Sequence, residues 1–253
     1  MTATVSTCFS RSELVRTLAL RIQEIEAAGS TPKRSSTHSL GIPRLDALLP
    51  GLDALLPGRR LAAGSLIELL AATEGAGVWS LALFLAKQVA AESKALVVVD
   101  SERCFYPPAA AKLGLELTRT IVVRPRLPSE AHAAVQEALR CSAVGAVIGW
   151  RQQLRAREFR QLQLAAEAGG GVGFVLRPPG ARQAPSFAVL RLLVSPVVST
   201  GSARCIRVEV VRCRSGKEGQ ALLLEIDDET GYVHSPGEVA APTFVPRAAR
   251  AAT

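Results

Sequence analysis

The chain has few rings, few histidines and almost no methionine: of 253 residues only 4% are aromatic, three are His and one is Met. A core must then be filled by Ala, Leu and Val, and a hydrophobic content of 48% is enough for a folded protein. His38, His132 and His234 stand apart from one another and from the cysteines, so no metal site is expected. Cys8, Cys104, Cys141, Cys205 and Cys213 are odd in number and form no CxxC pair. That pattern suits reduced thiols in a cytoplasm better than a disulfide framework. No apolar run reaches the roughly 18–20 residues that a membrane helix needs. The first residues also lack the basic-then-apolar order of a signal peptide, so neither span nor leader is expected.

A net charge of +8, carried by Arg more than Lys, points to acidic partners such as nucleic acid or an acidic protein. A solvated basic surface is the alternative.

The stretch Gly64 to Glu92 organises the rest. Leu66 to Leu70 is an apolar run with the length of a buried strand, followed by the small-residue loop Ala71 to Gly77. Trp79 to Glu92 has helical length and is apolar on every side for three turns, which predicts a deeply buried helix. Strand, glycine-bearing loop and helix in this order give the layout of a phosphate-binding loop. A working loop needs a Lys against the phosphate oxygens and a Ser or Thr hydroxyl on Mg²⁺. Here Val78 and Trp79 follow Gly77, and only Ser80 supplies a hydroxyl. Gly75, Gly77 and Ser80 are therefore the residues of a degenerate phosphate loop, with its main charge missing.

Before this stretch, Ser10 to Glu13 can form a capping box, and Leu14, Leu18, Ile22 and Ile25 recur at helical spacing. Residues 1–40 thus read as an amphipathic helix and a linker. Two copies of LDALLPG follow, Leu45 to Gly51 and Leu52 to Gly58, too few for a solenoid and suited to an extended surface turn.

Downstream, Ala95 to Asp100, Ile121 to Val123, Ala143 to Ile148 and Val172 to Leu176 read as buried strands. Asp100 and Glu102 stand at the carboxyl end of the first of these, where open α/β sheets place ligands. Helices fall between them: a short one opened by Pro107-Pro108, one capped by Ser129, and one from about Gln153 to Ala168. On the last, Arg155 intrudes on the apolar arc and must snorkel or pair. This alternation implies a parallel sheet with helices on both faces. Ala188 to Val194, Ala203 to Cys213 and Ala221 to Ile226 then follow without helices, and predict an antiparallel edge closed by a hairpin. Ile206, Val208 and Val210 alternate with Arg207 and Glu209, as on a half-exposed strand. Residues 41–235 form the core domain, and 236–253 a Pro- and Ala-rich basic tail expected to be disordered.

The order of parts resembles the RecA-like ATPase core from about Gly41 to Val233. The segment VVVDSERCFYPPAAAKLGLEL is similar to the one ending in that family's catalytic Glu, which puts Glu102 in its place. Trp150 stands where the resemblance implies a metal-associated Asp, and Arg177-Pro178 where it implies a γ-phosphate-sensing pair. Within the superfamily the chain resembles the ImuA-type proteins of mutagenic translesion cassettes. The carrying features are the degenerate loop and the hairpin VEVVRCRSGKEGQALLLEIDDETGYV, with Ser215 where Gly is more usual.

The resemblance implies an adaptor without a competent active site. Its partners would be an ImuB-like Y-family polymerase homologue and an error-prone replicative-type polymerase, with DNA or RecA as further candidates. No cofactor is expected, although weak ATP binding stays compatible with the glycines, and Glu102 is a vestigial catalytic candidate only. Contact candidates are Arg207, Arg212, Arg214 and Lys217 on the hairpin, and Phe244 in the tail. The alternatives are a divergent ATPase in which Arg59, Arg60 or Arg177 replaces the missing Lys, and a direct DNA binder using the hairpin arginines.

Overall fold

A computed structural model describes residues 63–90, 94–199, 203–213, 218–227 and 233–234. The N-terminal helix, both LDALLPG copies, Arg59, Arg60, Arg214, Ser215, Lys217 and the tail with Phe244 lie outside the described residues.

Nine strands form one sheet among the described residues, in the order β3-β2-β4-β5-β1-β6-β7-β8-β9. They are β1 (Leu66–Ala71), β2 (Ala95–Val99), β3 (Thr120–Val123), β4 (Val144–Trp150), β5 (Val172–Arg177), β6 (Leu190–Val197), β7 (Arg204–Cys213), β8 (Ala221–Ile226) and β9 (Val233–His234). The six strands from β3 to β6 in that order run parallel. From β6 onward each pairing is antiparallel. This is the α/β fold that the alternation predicts: a mostly parallel sheet between helices, with an antiparallel C-terminal edge.

Period-two alternation divides the apolar residues of the central strands between two cores. Ile67 and Leu69 of β1 face α1 (Val78–Val89), together with Val98, Ile148 and Phe174. Leu66 faces the other side with Val97, Val99, Val147 and Val175, under α3 (Pro128–Arg140) and α4 (Ala156–Gly169). Because both sides are covered, every residue of β1 and β2 is buried. On α1 the buried set includes Leu81, Ala82, Leu83, Phe84, Leu85 and Ala86 in succession, as a helix apolar on every side requires.

Several boundaries differ from expectation. The helix assigned to Ser129 has its cap at Leu127, because Pro128 occupies the first turn with a preset φ. Glu130 then closes that end by accepting hydrogen bonds from the backbone N–H groups of Arg126 (2.8 Å) and Leu127 (3.2 Å). The helix expected from Gln153 starts at Ala156, and Arg155 precedes it in extended backbone. Arg155 is exposed and its N–H is held by Glu158 at 2.8 Å, so it never intrudes on the apolar arc. Strand β6 begins at Leu190, two residues after Ala188.

Helices α3 and α4 approach closely at Gly169, where a Cβ atom would lie 2.1 Å from the Leu139 carbonyl oxygen. Only glycine fits against backbone at that distance. Gly170, with φ 78°, then ends α4 in the left-handed conformation.

Candidate functional site

The loop between β1 and α1 is shaped by its glycines. Gly75 (φ 70°) and Gly77 (φ 85°) both take left-handed conformations that residues with a Cβ rarely adopt. Ala76 between them is buried and anchors the turn in the core. The Ala72 N–H donates to the Val194 carbonyl at 2.8 Å, tying the loop to β6. On the other side a Cβ at Gly77 would meet Ile206 of β7 at 3.0 Å, so the loop is clamped between two neighbouring strands. Gly77 caps α1 without a side-chain bond, and no acidic residue occupies the first turn.

The side chains around the loop are otherwise occupied. Val78 is buried, and Trp79 packs against the α1-side core. The Ser80 hydroxyl accepts a hydrogen bond from the Arg204 guanidinium at 3.4 Å. Thus the Ser80 hydroxyl faces a cation supplied by β7.

The carboxyl end of β2 carries two acids with different roles. Asp100 is fully buried, and its Oδ1 accepts the backbone N–H groups of Cys104 (2.7 Å) and Phe105 (3.2 Å). Its Oδ2 meets Arg124 Nε at 3.3 Å. Asp100 therefore fixes the turn 101–105. Glu102 lies on the outside of that turn, exposed. Partial desolvation of this exposed thiol, followed by the charges of Asp100 and Glu102, pushes the Cys104 pKa above its ordinary value.

Arg177, offered by the sequence as a replacement for the loop Lys, is committed elsewhere. It is 2% exposed, and its Nη1 donates to Glu68 Oε1 at 3.2 Å. Glu68, in the middle of β1, is 0% exposed and lies directly across from Arg191 of β6. Arg191 Nε lies 2.8 Å from Glu68 Oε2 as an ion contact, and its Nη atoms donate to the carbonyls of Ala181 (2.5 Å) and Arg182 (2.9 Å). One carboxylate thus holds two guanidinium groups and bridges β1, β5 and β6. Burial pulls the Arg177 pKa down, Glu68 raises it and Arg191 lowers it again. Trp150 ends β4 with its indole against the α1-side core. Arg151, next to it, is buried and donates to the Pro128 carbonyl at 2.7 Å.

The hairpin arginines do not form one stripe. Arg204 reaches Ser80. Arg207, which alternates with the α1-facing residues of β7, pairs with Glu209. Arg212 donates to the Ser186 carbonyl at 3.0 Å, in the segment that precedes β6.

A cavity of about 270 Å³ opens between the first turns of α1 and the segment that leads into α2 (Pro107–Lys112). Its far wall is the start of β7 and the end of β8, represented by Arg204, Ile226 and Asp227.

Sequence comparison bears on this arrangement. The chain matches no protein-family model. It is 32% identical over 146 residues to Protein ImuA of Caulobacter vibrioides, in strain NA1000 / CB15N and equally in strain ATCC 19089. Over that stretch the chain is similar to ImuA. That match covers 51% of this chain, and the chain spans about 59% of the length of these curated relatives. It is also 26% identical over 116 residues to the cell division inhibitor SulA of Yersinia enterocolitica, covering 46% of this chain and 69% of that protein. The chain thus joins a glycine-shaped loop to cations that are held by other parts of the fold. No helix among the described residues is long and apolar enough to cross a membrane.

Sequence reasoning missed the Glu68–Arg177–Arg191 cluster and the Arg204–Ser80 contact. The signal for the cluster was a single acid inside the apolar run LIELLA, which cannot be buried without a cation. The strands VGFVLR and LRLLV each carry one. The Arg204 contact had no local signal, because it joins residues 124 positions apart.

Proposed function

We propose that this ImuA-like chain is a non-catalytic RecA-like adaptor in the DNA-damage response. It supports error-prone translesion synthesis through contacts with an ImuB-like Y-family polymerase homologue and an error-prone replicative-type polymerase. The observation that carries the reading is the commitment of Arg177 to buried Glu68. Arg177, one of three cations that the sequence offers in place of the loop Lys, is a brace between β1 and β5. A phosphoryl-transfer site stabilises its transition state mainly by charges aimed at the transferred group. Loss of one such group typically costs about 10²–10³ in rate. Here the Lys, the metal Asp and the sensor pair of the RecA-like pattern are replaced by Val78, Trp150 and Arg177-Pro178. Exposed Glu102 can orient a water but holds no phosphate. The similarity to ImuA and SulA supports the damage-response setting.

The direct DNA-binding reading is weaker, because Arg204, Arg207 and Arg212 each have a protein partner and occupy two faces of the hairpin. The test is capture of the purified Y-family polymerase homologue by the full chain, with and without ATP. Equal capture in both conditions is expected. Capture that requires ATP, or no capture at all, would overturn the adaptor reading.

A further inference from the structure

Resting on that adaptor reading, we infer that the cavity beside the first turn of α1 is a preformed anchor site for a short acidic peptide carrying one bulky apolar side chain. Its volume of about 270 Å³ falls below the ~300–1,000 Å³ typical of sites for drug-sized ligands. It suits one or two side chains better than a whole nucleotide. The floor is apolar, made by Leu83, Leu113 and Ile226, with Phe105 held in the core behind it. Two aromatic residues stand at the opening. Trp79 is half-buried, and Tyr106 is 65% exposed, an unusual cost for a ring in a chain with so few.

The walls are fixed before anything binds. Tyr106 caps α2 in extended backbone and precedes Pro107, which restricts its conformation. Its carbonyl accepts the N–H groups of Ala109 and Ala110. Buried Asp100 pins the turn before it through Cys104 and Phe105. Lys87 of α1 donates to the Leu113 carbonyl at 2.9 Å and ties the two helical walls together. A rigid aromatic at the edge of an apolar pocket is the arrangement in which a single inserted side chain contributes most to affinity.

Charge then selects the flanks. The rim holds Arg204 and Lys112 against Asp227, in a chain whose net charge is +8. The two cations would attract carboxylates beside the anchor and steer encounter more than they slow release. The occupant is therefore a peptide with Phe, Trp or Leu as anchor and Asp or Glu adjacent, presented by the polymerase partner.

The experiment is selection of a phage-displayed random peptide library on the full chain. Enriched peptides are then resynthesised with a fluorophore and titrated by anisotropy. The comparison variants are Tyr106→Ala and Arg204→Glu, both at exposed positions, with folding checked by urea denaturation. Expected results are enrichment of acidic peptides with one bulky apolar residue, binding at least about tenfold weaker to each variant, and slower labelling of exposed Cys104 on the cavity wall. Selection of peptides without such an anchor, or equal binding by both variants, would overturn the inference. So would displacement of the peptides by ATP with protection of Cys104 by ATP itself. Polymerase capture by Tyr106→Ala equal to the parent's would refute this site and leave the adaptor standing. Absence of capture by the parent would instead refute the adaptor, whatever the peptides do.

Discussion

Replacing Glu68 by Gln should be among the most damaging single changes in the sheet. The carboxylate is 0% exposed and compensates Arg177 and Arg191, which are 2% and 6% exposed. Gln keeps the shape and one acceptor oxygen but leaves two guanidinium groups buried without a counter-charge. Removing one member of a buried ionic set typically costs about 3–5 kcal/mol, because the remaining charge stays desolvated. Against a total stability of ~5–15 kcal/mol this is roughly a fifth or more. At ~2–4 °C per kcal/mol for a domain of this size, Tm should fall by about 6–20 °C. Arg177→Met should cost less, since Glu68 keeps Arg191 at 2.8 Å and the set becomes neutral. The assay is urea denaturation of the parent and both variants at neutral pH. Glu68→Gln within about 0.5 kcal/mol of the parent, the range of ordinary surface substitutions, would refute the account of Arg177 as a brace.

Other expectations follow from single contacts. Gly169→Ala should cost more than Gly75→Ala in urea denaturation. The first would put a Cβ 2.1 Å from a backbone oxygen, whereas the second meets nothing within 4 Å and carries only the left-handed backbone cost of ~1–2 kcal/mol. Ser80→Ala should change stability by less than about 0.5 kcal/mol, because its contact with Arg204 is long and exposed. Reaction of Cys104 with a disulfide reagent should accelerate only at higher pH than for a free thiol, since partial desolvation and two carboxylates disfavour the thiolate. Glu102→Gln removes one of those charges, lowers the thiol pKa and should speed the reaction at any fixed pH below it.

The parallel strands and the buried helix were legible because their signal is local: apolar runs of strand length, and a helix apolar on every side. The antiparallel edge was legible for the same reason, in the alternation of Ile206, Val208 and Val210 with Arg207 and Glu209. Helix starts were less so. Ser129 has capping chemistry, but Pro128 before it fixes the backbone one residue earlier and Glu130 closes the end from inside. The turn at Gly75 and Gly77 was readable from its glycines, which both take left-handed conformations. What surrounds it was not, because Arg204 reaches Ser80 from β7, and Glu68 meets Arg177 only when β1 pairs with β5. The cavity has the same origin: Trp79, Tyr106 and Ile226 are far apart in sequence and converge through the order of the strands.

The central claim is that the loop has the shape of a nucleotide site without the charges to use it. Titration of the full chain with Mg²⁺–ATP, followed for heat and for released phosphate, tests this most directly. The account predicts no phosphate release above buffer, and no change when Glu102 is replaced by Gln. Saturable binding with turnover that Glu102→Gln abolishes would contradict it, and would make the chain a divergent ATPase.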